Sequence, residues 1–81
     1  MAKVSRSSAY DPHLLSLGAS IRSLRIKQGF SQEQLAHEAN IDRSYLGGIE
    51  RGEHNVAVLN LCKIALALNT QVSALFAAAN L

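Results

Sequence analysis

The sequence predicts an all-α fold, and three observations carry that expectation. Of the 81 residues, 48% are apolar but only 5% aromatic. Alanine and leucine dominate and β-branched runs are scarce, a balance that favours helix over sheet. Apolar residues recur at three- and four-residue intervals along most of the chain. Between those stretches stand residues that start and stop helices: Asp11-Pro12, Ser31, Asn40, Asp42 and Gly52. A chain of this length forms one domain whose core is only marginally sufficient, so a partner subunit is expected.

Residues 1–10 carry serines with Lys3 and Arg6 and no apolar period, and are expected to be a flexible N-terminal arm. Residues 11–81 are expected to form the single domain. Asp11 before Pro12 is an N-cap followed by N1 proline, whose missing N–H would have been unpaired there in any case. Leu14, Leu17, Ile21 and Leu24 keep helical spacing and Gly29 supplies a stop, so a first helix is predicted over 12–28. Ser31 with Gln34 makes a capping box for a second helix with Leu35, Ala36 and Ala39 inward. Asn40 accepts a left-handed backbone and turns the chain. Asp42 then caps a third helix that buries Leu46 and Ile49 and ends at Gly52. A fourth helix is predicted over 57–68 with Val58, Leu61, Ile64, Ala65 and Leu68 inward. A fifth begins at Thr70-Gln71 and carries Val72, Leu75, Phe76 and Ala79.

Several function classes recede. The net charge of +2 and pI near 9.0 permit a polyanionic partner without requiring one. Cys62 is the only cysteine. No intramolecular disulfide or cysteine-based zinc site can form, and Cys62 is expected to be a small buried apolar residue. His13, His37 and His54 fall at a helix start, on a helix surface and in a loop, with no metal spacing. No catalytic serine arrangement or phosphate loop is visible, so neither an enzyme nor a cofactor is expected. The N-terminus lacks the apolar middle of a secretory signal, and the uncharged segment after Lys63 is broken by Asn69-Thr70-Gln71. No membrane association and a cytoplasmic location are therefore expected.

Two short helices joined by a turn of three or four residues, the second beginning Arg43-Ser44-Tyr45, form a helix-turn-helix pattern. In its DNA-binding form the second helix enters the major groove with its N-terminal residues against base edges. The stretch FSQEQLAHEANIDRSYLGGIERG, followed by LCKIALAL and VSALF, resembles the Xre/Cro/cI family of phage-repressor-like regulators over about residues 14–78. It looks most like the small controller proteins of restriction-modification systems. The resemblance implies a five-helix lambda-repressor-like domain that binds double-stranded DNA. It assigns Gln32 to a phosphate contact, Arg43, Ser44 and Tyr45 to base reading, and Arg51 and Asn55 to a phosphate-contacting loop. For Tyr45, packing along the helix is an equal alternative. The resemblance also pairs Glu50 with Arg25; as a partly exposed scaffold bridge this would contribute about 1 kcal/mol or less.

Adjacent glycines inside the third helix each cost about 1 kcal/mol relative to alanine. Gly48 stands where related repressors often carry a base-contacting side chain, and Gly47 where they favour a small residue. The resemblance therefore implies close approach of bare helix backbone to DNA at Gly47 and Gly48, with packing against a neighbouring element as the alternative. The apolar C-terminal region suggests a two-fold interface built from Val72, Leu75 and Phe76, which would set two recognition helices on a near-palindromic operator. The function expected is a homodimeric, sequence-specific transcriptional regulator, acting as a repressor by promoter occlusion, with activation through RNA polymerase contact as a further mode. The competing class is a protein-interaction module, such as an antitoxin-like or adaptor protein.

Overall fold

The computed structural model describes residues 10–81, so the expected arm at 1–10 lies outside the described residues except for Tyr10. Five helices follow in order: α1 (Pro12–Lys27), α2 (Gln32–Ala39), α3 (Arg43–Glu50), α4 (Val58–Ala67) and α5 (Val72–Ala78). Among the described residues there is no strand.

Each boundary has a local cause. The Asp11 carboxylate accepts the His13 backbone N–H at 2.8 Å and lies 2.8 Å from the His13 Nδ1. Those contacts, the backbone one foremost, hold the carboxyl below its ordinary range. Gly29, at φ 83°, ends the turn after α1. Asn40 stops α2 in the left-handed region, and Asn69 (φ 56°) does the same after α4, so α5 starts at Val72 rather than at Thr70. The α4–α5 break bends the chain by 91°, and among the described residues no single helix is long and apolar enough to cross a membrane.

The core draws on all five helices: Leu17 and Ile21, Leu35 and Ala39, Leu46 and Ile49, Leu61, Ile64 and Leu68, and Leu75. Two polar links tie the ends of the bundle. The buried Ser20 hydroxyl lies 2.9 Å from the Leu17 carbonyl and 3.0 Å from that of Leu75. Gln28 Nε2 donates to the Leu68 carbonyl at 2.7 Å, satisfying an acceptor left open at the end of α4.

Three apolar expectations need correction. Leu75 is fully buried in the protomer's own core and cannot be presented to a second subunit, while Val72 and Phe76 are half-buried against that core. Val58 is 67% exposed, because it sits in the first turn of α4, one turn before Leu61 meets the core. Cys62 is exposed. It shares the outward side of α4 with Leu59 and Leu66, which are 76% and 81% exposed, as residues three and four apart on a helix must.

Gly18 was not singled out in the sequence, yet it sets how closely α1 meets α3. A β-carbon there would run into the backbone carbonyl oxygens of Ile49 and Glu50. Gly18→Ala must push the helices apart, and forced insertions of this kind cost about 1–3 kcal/mol or more. Urea unfolding should show that loss in midpoint, and alanine at the exposed neighbour Ala19 provides the native reference for a tolerated methyl.

Candidate nucleic-acid interface

The interface is built on α2, α3 and the loop that follows. At the start of α2 the Ser31 side chain accepts from Gln34 N–H at 3.0 Å, while the Gln34 carboxamide accepts from Ser31 N–H at 2.8 Å. Asn40, at φ 56° and ψ 47°, reverses the chain, and Ile41 N–H donates to the Ala36 carbonyl at 2.9 Å. Asp42 then caps α3, accepting from the N–H groups of Ser44 at 2.9 Å and Tyr45 at 3.3 Å. This turn leaves α3 set across α2, with its first turn facing outward.

A buried ion pair fixes the arrangement. From α1, Arg25 Nε donates to Glu50 Oε2 at 2.6 Å and Nη2 to Oε1 at 3.0 Å. Its Nη1 donates to the Phe30 carbonyl at 2.9 Å. From α2, Gln32 Nε2 donates to Glu50 Oε1 at 2.9 Å. The expectation of a partly exposed bridge is wrong: the two side chains are 9% and 1% exposed. Arg25 reaches Glu50 across the interior because α1 runs behind α3, and the Phe30 carbonyl and Gln32 close the site from the other side.

At about 100° per residue, α3 turns Leu46, Ile49 and Glu50 inward and Ser44, Gly48 and Arg51 outward. Arg43 and Ser44 are exposed in the first turn, and Asn55 is exposed in the following loop. Gln32 is half-buried at N1 of α2, where unpaired N–H groups and the positive end of the helix dipole favour an anion. Arg51 is exposed but not free. Its Nε and Nη2 donate to the Glu53 carboxylate at 2.7 and 3.1 Å. That contact raises the guanidinium pKa and lowers the carboxyl pKa, so both groups stay charged at neutral pH.

The backbone at Gly47 and Gly48 is not bare, contrary to expectation. Both glycines are buried. A β-carbon at 47 would come within 3.2 Å of Arg51 Nη1 and 3.4 Å of Gln32 Oε1, and one at 48 would collide with the His54 imidazole. Side chains from α2 and the loop fill the space that the glycines leave, which is the packing alternative. Tyr45 is half-buried and held on two sides: its hydroxyl accepts from Asn60 Nδ2 at 3.1 Å, and its ring centroid lies 5.1 Å from that of His54. Sequence reading missed Glu53, His54 and Asn60. The one available signal was an outward helix position without a side chain, followed within a few residues by a polar loop.

Among the described residues, no group of three or more His, Cys, Asp or Glu side chains is placed to hold a metal ion.

A helix-turn-helix family model matches residues 21–75. The control protein C.SmaI of Serratia marcescens is 45% identical over 56 residues, covering 69% of this chain and 67% of that protein. Two further curated relatives are longer, and the chain spans 49% and 42% of them. Among solved structures, the restriction-modification controller C.AhdI from Aeromonas hydrophila is similar with a TM-score of 0.77 and 46% identity, covering 78% of this chain and 96% of that one. C.Esp1396I bound to a 19 base pair DNA duplex is similar with a TM-score of 0.76 and 31% identity, covering 83% and 89%.

Removing one partner of a buried ion pair leaves the other charge unpaired and costs about 3–5 kcal/mol. Glu50→Ala should therefore lose about that much stability in urea unfolding, several times the loss from Glu53→Ala in the exposed pair.

Proposed function

The chain belongs to the helix-turn-helix family, and on that premise we propose that it is a sequence-specific, DNA-binding transcriptional regulator of the restriction-modification controller kind, acting as a homodimer on a near-palindromic operator. The observation that carries this reading is the exposed first turn of α3, with Arg43 and Ser44 set on a rigid helix-turn-helix. An arginine at that place can donate two bonds to guanine O6 and N7, worth about 1–3 kcal/mol of discrimination.

Phosphate contacts flank the reading turn. Gln32 has a second amide hydrogen beyond the one donated to Glu50, and that hydrogen is available to a phosphate oxygen beside the helix N-terminus. Arg51 and Asn55 contact the backbone at the other end of α3. Tyr45 has its hydroxyl oxygen accepting from Asn60, which leaves the phenolic O–H to donate to DNA. The protein works in the cytoplasm and performs no catalysis of its own. Its effect on transcription comes from occupancy of the operator, with polymerase contact as the route to activation.

The dimer needs an exposed apolar face, and α4 has one: Leu59, Cys62 and Leu66, with Val58 at its start. On α5, Val72 and Phe76 are half-buried. A dimer that reads two half-sites of a near-palindrome needs its two α3 helices about 34 Å apart, one turn of DNA.

Selection of bound sequences from random duplex DNA at near-physiological salt should enrich a palindrome with half-sites about one turn apart. Arg43→Ala should relax preference at one base of each half-site, whereas Gln32→Ala should weaken binding to all sequences alike. Absence of enrichment, with both variants silent, would instead identify a protein-interaction module. Leu66→Glu should convert a dimer to a monomer in sedimentation at micromolar protein and remove operator binding with it; a Leu66→Glu dimer would place the interface elsewhere.

A further inference from the structure

We propose that His54 is a base-reading residue, supplied by the loop after α3 to the place where a side chain at position 48 would otherwise project. The proposal rests on the DNA-binding reading above. It begins from the geometry of α3. Residues 44 and 48 are separated by about 40° around the helix and about 6 Å along it. Gly48 is thus the next outward position after Ser44, one to two base steps further along a groove that holds the helix.

Position 48 carries no side chain, and the loop makes good the loss. Gly52, at φ 78°, turns the chain back, and Glu53 N–H donates to the Gly48 carbonyl at 2.9 Å. That return lays the His54 ring on the Gly48 backbone, so closely that a β-carbon there would collide with Nε2 and Cδ2. The Tyr45 ring supports the imidazole from the side, with the centroids 5.1 Å apart and the planes inclined at 49°. His54 is half-buried, held by contact with a ring and a backbone, and among the described residues its imidazole makes no hydrogen bond. A neutral imidazole presents one N–H donor and one acceptor. On the major-groove edge, its N–H matches guanine O6, the acceptor that adenine lacks.

This assignment also accounts for Gly48. Any larger residue there would expel the ring, so the glycine and the histidine act as one unit in which the loop, rather than the helix, contributes the reading group. A filler role for His54 would explain the same packing and is the alternative to be tested.

The experiment compares sequences selected by the wild-type protein, His54→Ala and His54→Gln, each first checked for helix content and dimerisation. The wild type should show a guanine preference at one position per half-site that His54→Ala loses, with about a tenfold drop in discrimination there and other positions unchanged. His54→Gln, which keeps a planar polar group, should shift that position toward adenine. Replacing the guanine by 2-aminopurine, which keeps N7 but lacks O6, should weaken the wild type and leave His54→Ala unaffected. If both variants select the wild-type palindrome unchanged, or lose affinity evenly over all positions, His54 is a filler and the proposal falls while the operator reading stands. Failure of the wild type to select any sequence would overturn both.

Discussion

The arrangement of the helix-turn-helix depends on Arg25. One guanidinium meets the carboxylate at the end of α3 and the carbonyl of the turn before α2, while Gln32 reaches the same carboxylate from α2. Three elements are therefore referred to a single buried charge pair. Taking two charges out of water is expensive, and a well-packed apolar pair of equal volume is often as stable. The pair is better understood by what its absence would do than by net stabilisation. Glu50 sits at the C-terminal end of α3, where the helix dipole opposes a negative charge, and it is tolerated because the guanidinium and the amide satisfy it. Slippage of α3 against α1 or α2 would break several charge-assisted bonds at once. Gly18 adds a steric limit on the other side, since α3's backbone lies against it without room for a methyl.

That rigidity gives meaning to two glycines that look destabilising. Each costs about 1 kcal/mol in a helix interior, but α3 is short and is held at both ends, by Asp42 and by Arg25 through Glu50. The helix does not depend on its own propensity, as is general for helices stabilised by tertiary contact. The vacant outer positions are then available to Gln32, Arg51 and His54. Side chains from three different places in the sequence converge on one helix face, and each is braced by another group: Gln32 by Glu50, Arg51 by Glu53, His54 by Tyr45. Such bracing restricts rotamers before any ligand arrives, which reduces the ordering cost of binding.

The helices were legible because their signals are local. Asp11-Pro12, the Ser31 and Gln34 box, Asn40 and Asp42 all act within four residues, and all form the bonds that their types suggest. What a residue meets at a distance was not legible. Periodicity placed Leu75 on the apolar side of α5, where an interface was expected, but could not say that the protomer itself covers it. Likewise Cys62 and Val58 follow apolar spacing yet face outward, because an apolar run with few polar interruptions does not announce which side is covered. The Arg25–Glu50 pair was identified through family resemblance, but its burial depends on three separate segments closing around it. His54 was the hardest, since its role arises from the absence of a side chain at 48 and from a loop that doubles back.

The charge distribution finally bears on how such a regulator would respond to its own concentration. Among the described residues, Arg25 is buried against Glu50 and Arg51 is paired with Glu53, while Arg43 is exposed in the first turn of α3. A protomer that neutralises few phosphates gains little from counterion release and holds DNA weakly on its own. Joining two such protomers makes the second contact intramolecular, and avidity rises without any new contact. The exposed Leu59 and Leu66 on α4 are where that pairing is proposed. In the homodimer proposed above, weak binding by each subunit would make operator occupancy rise steeply with protein level.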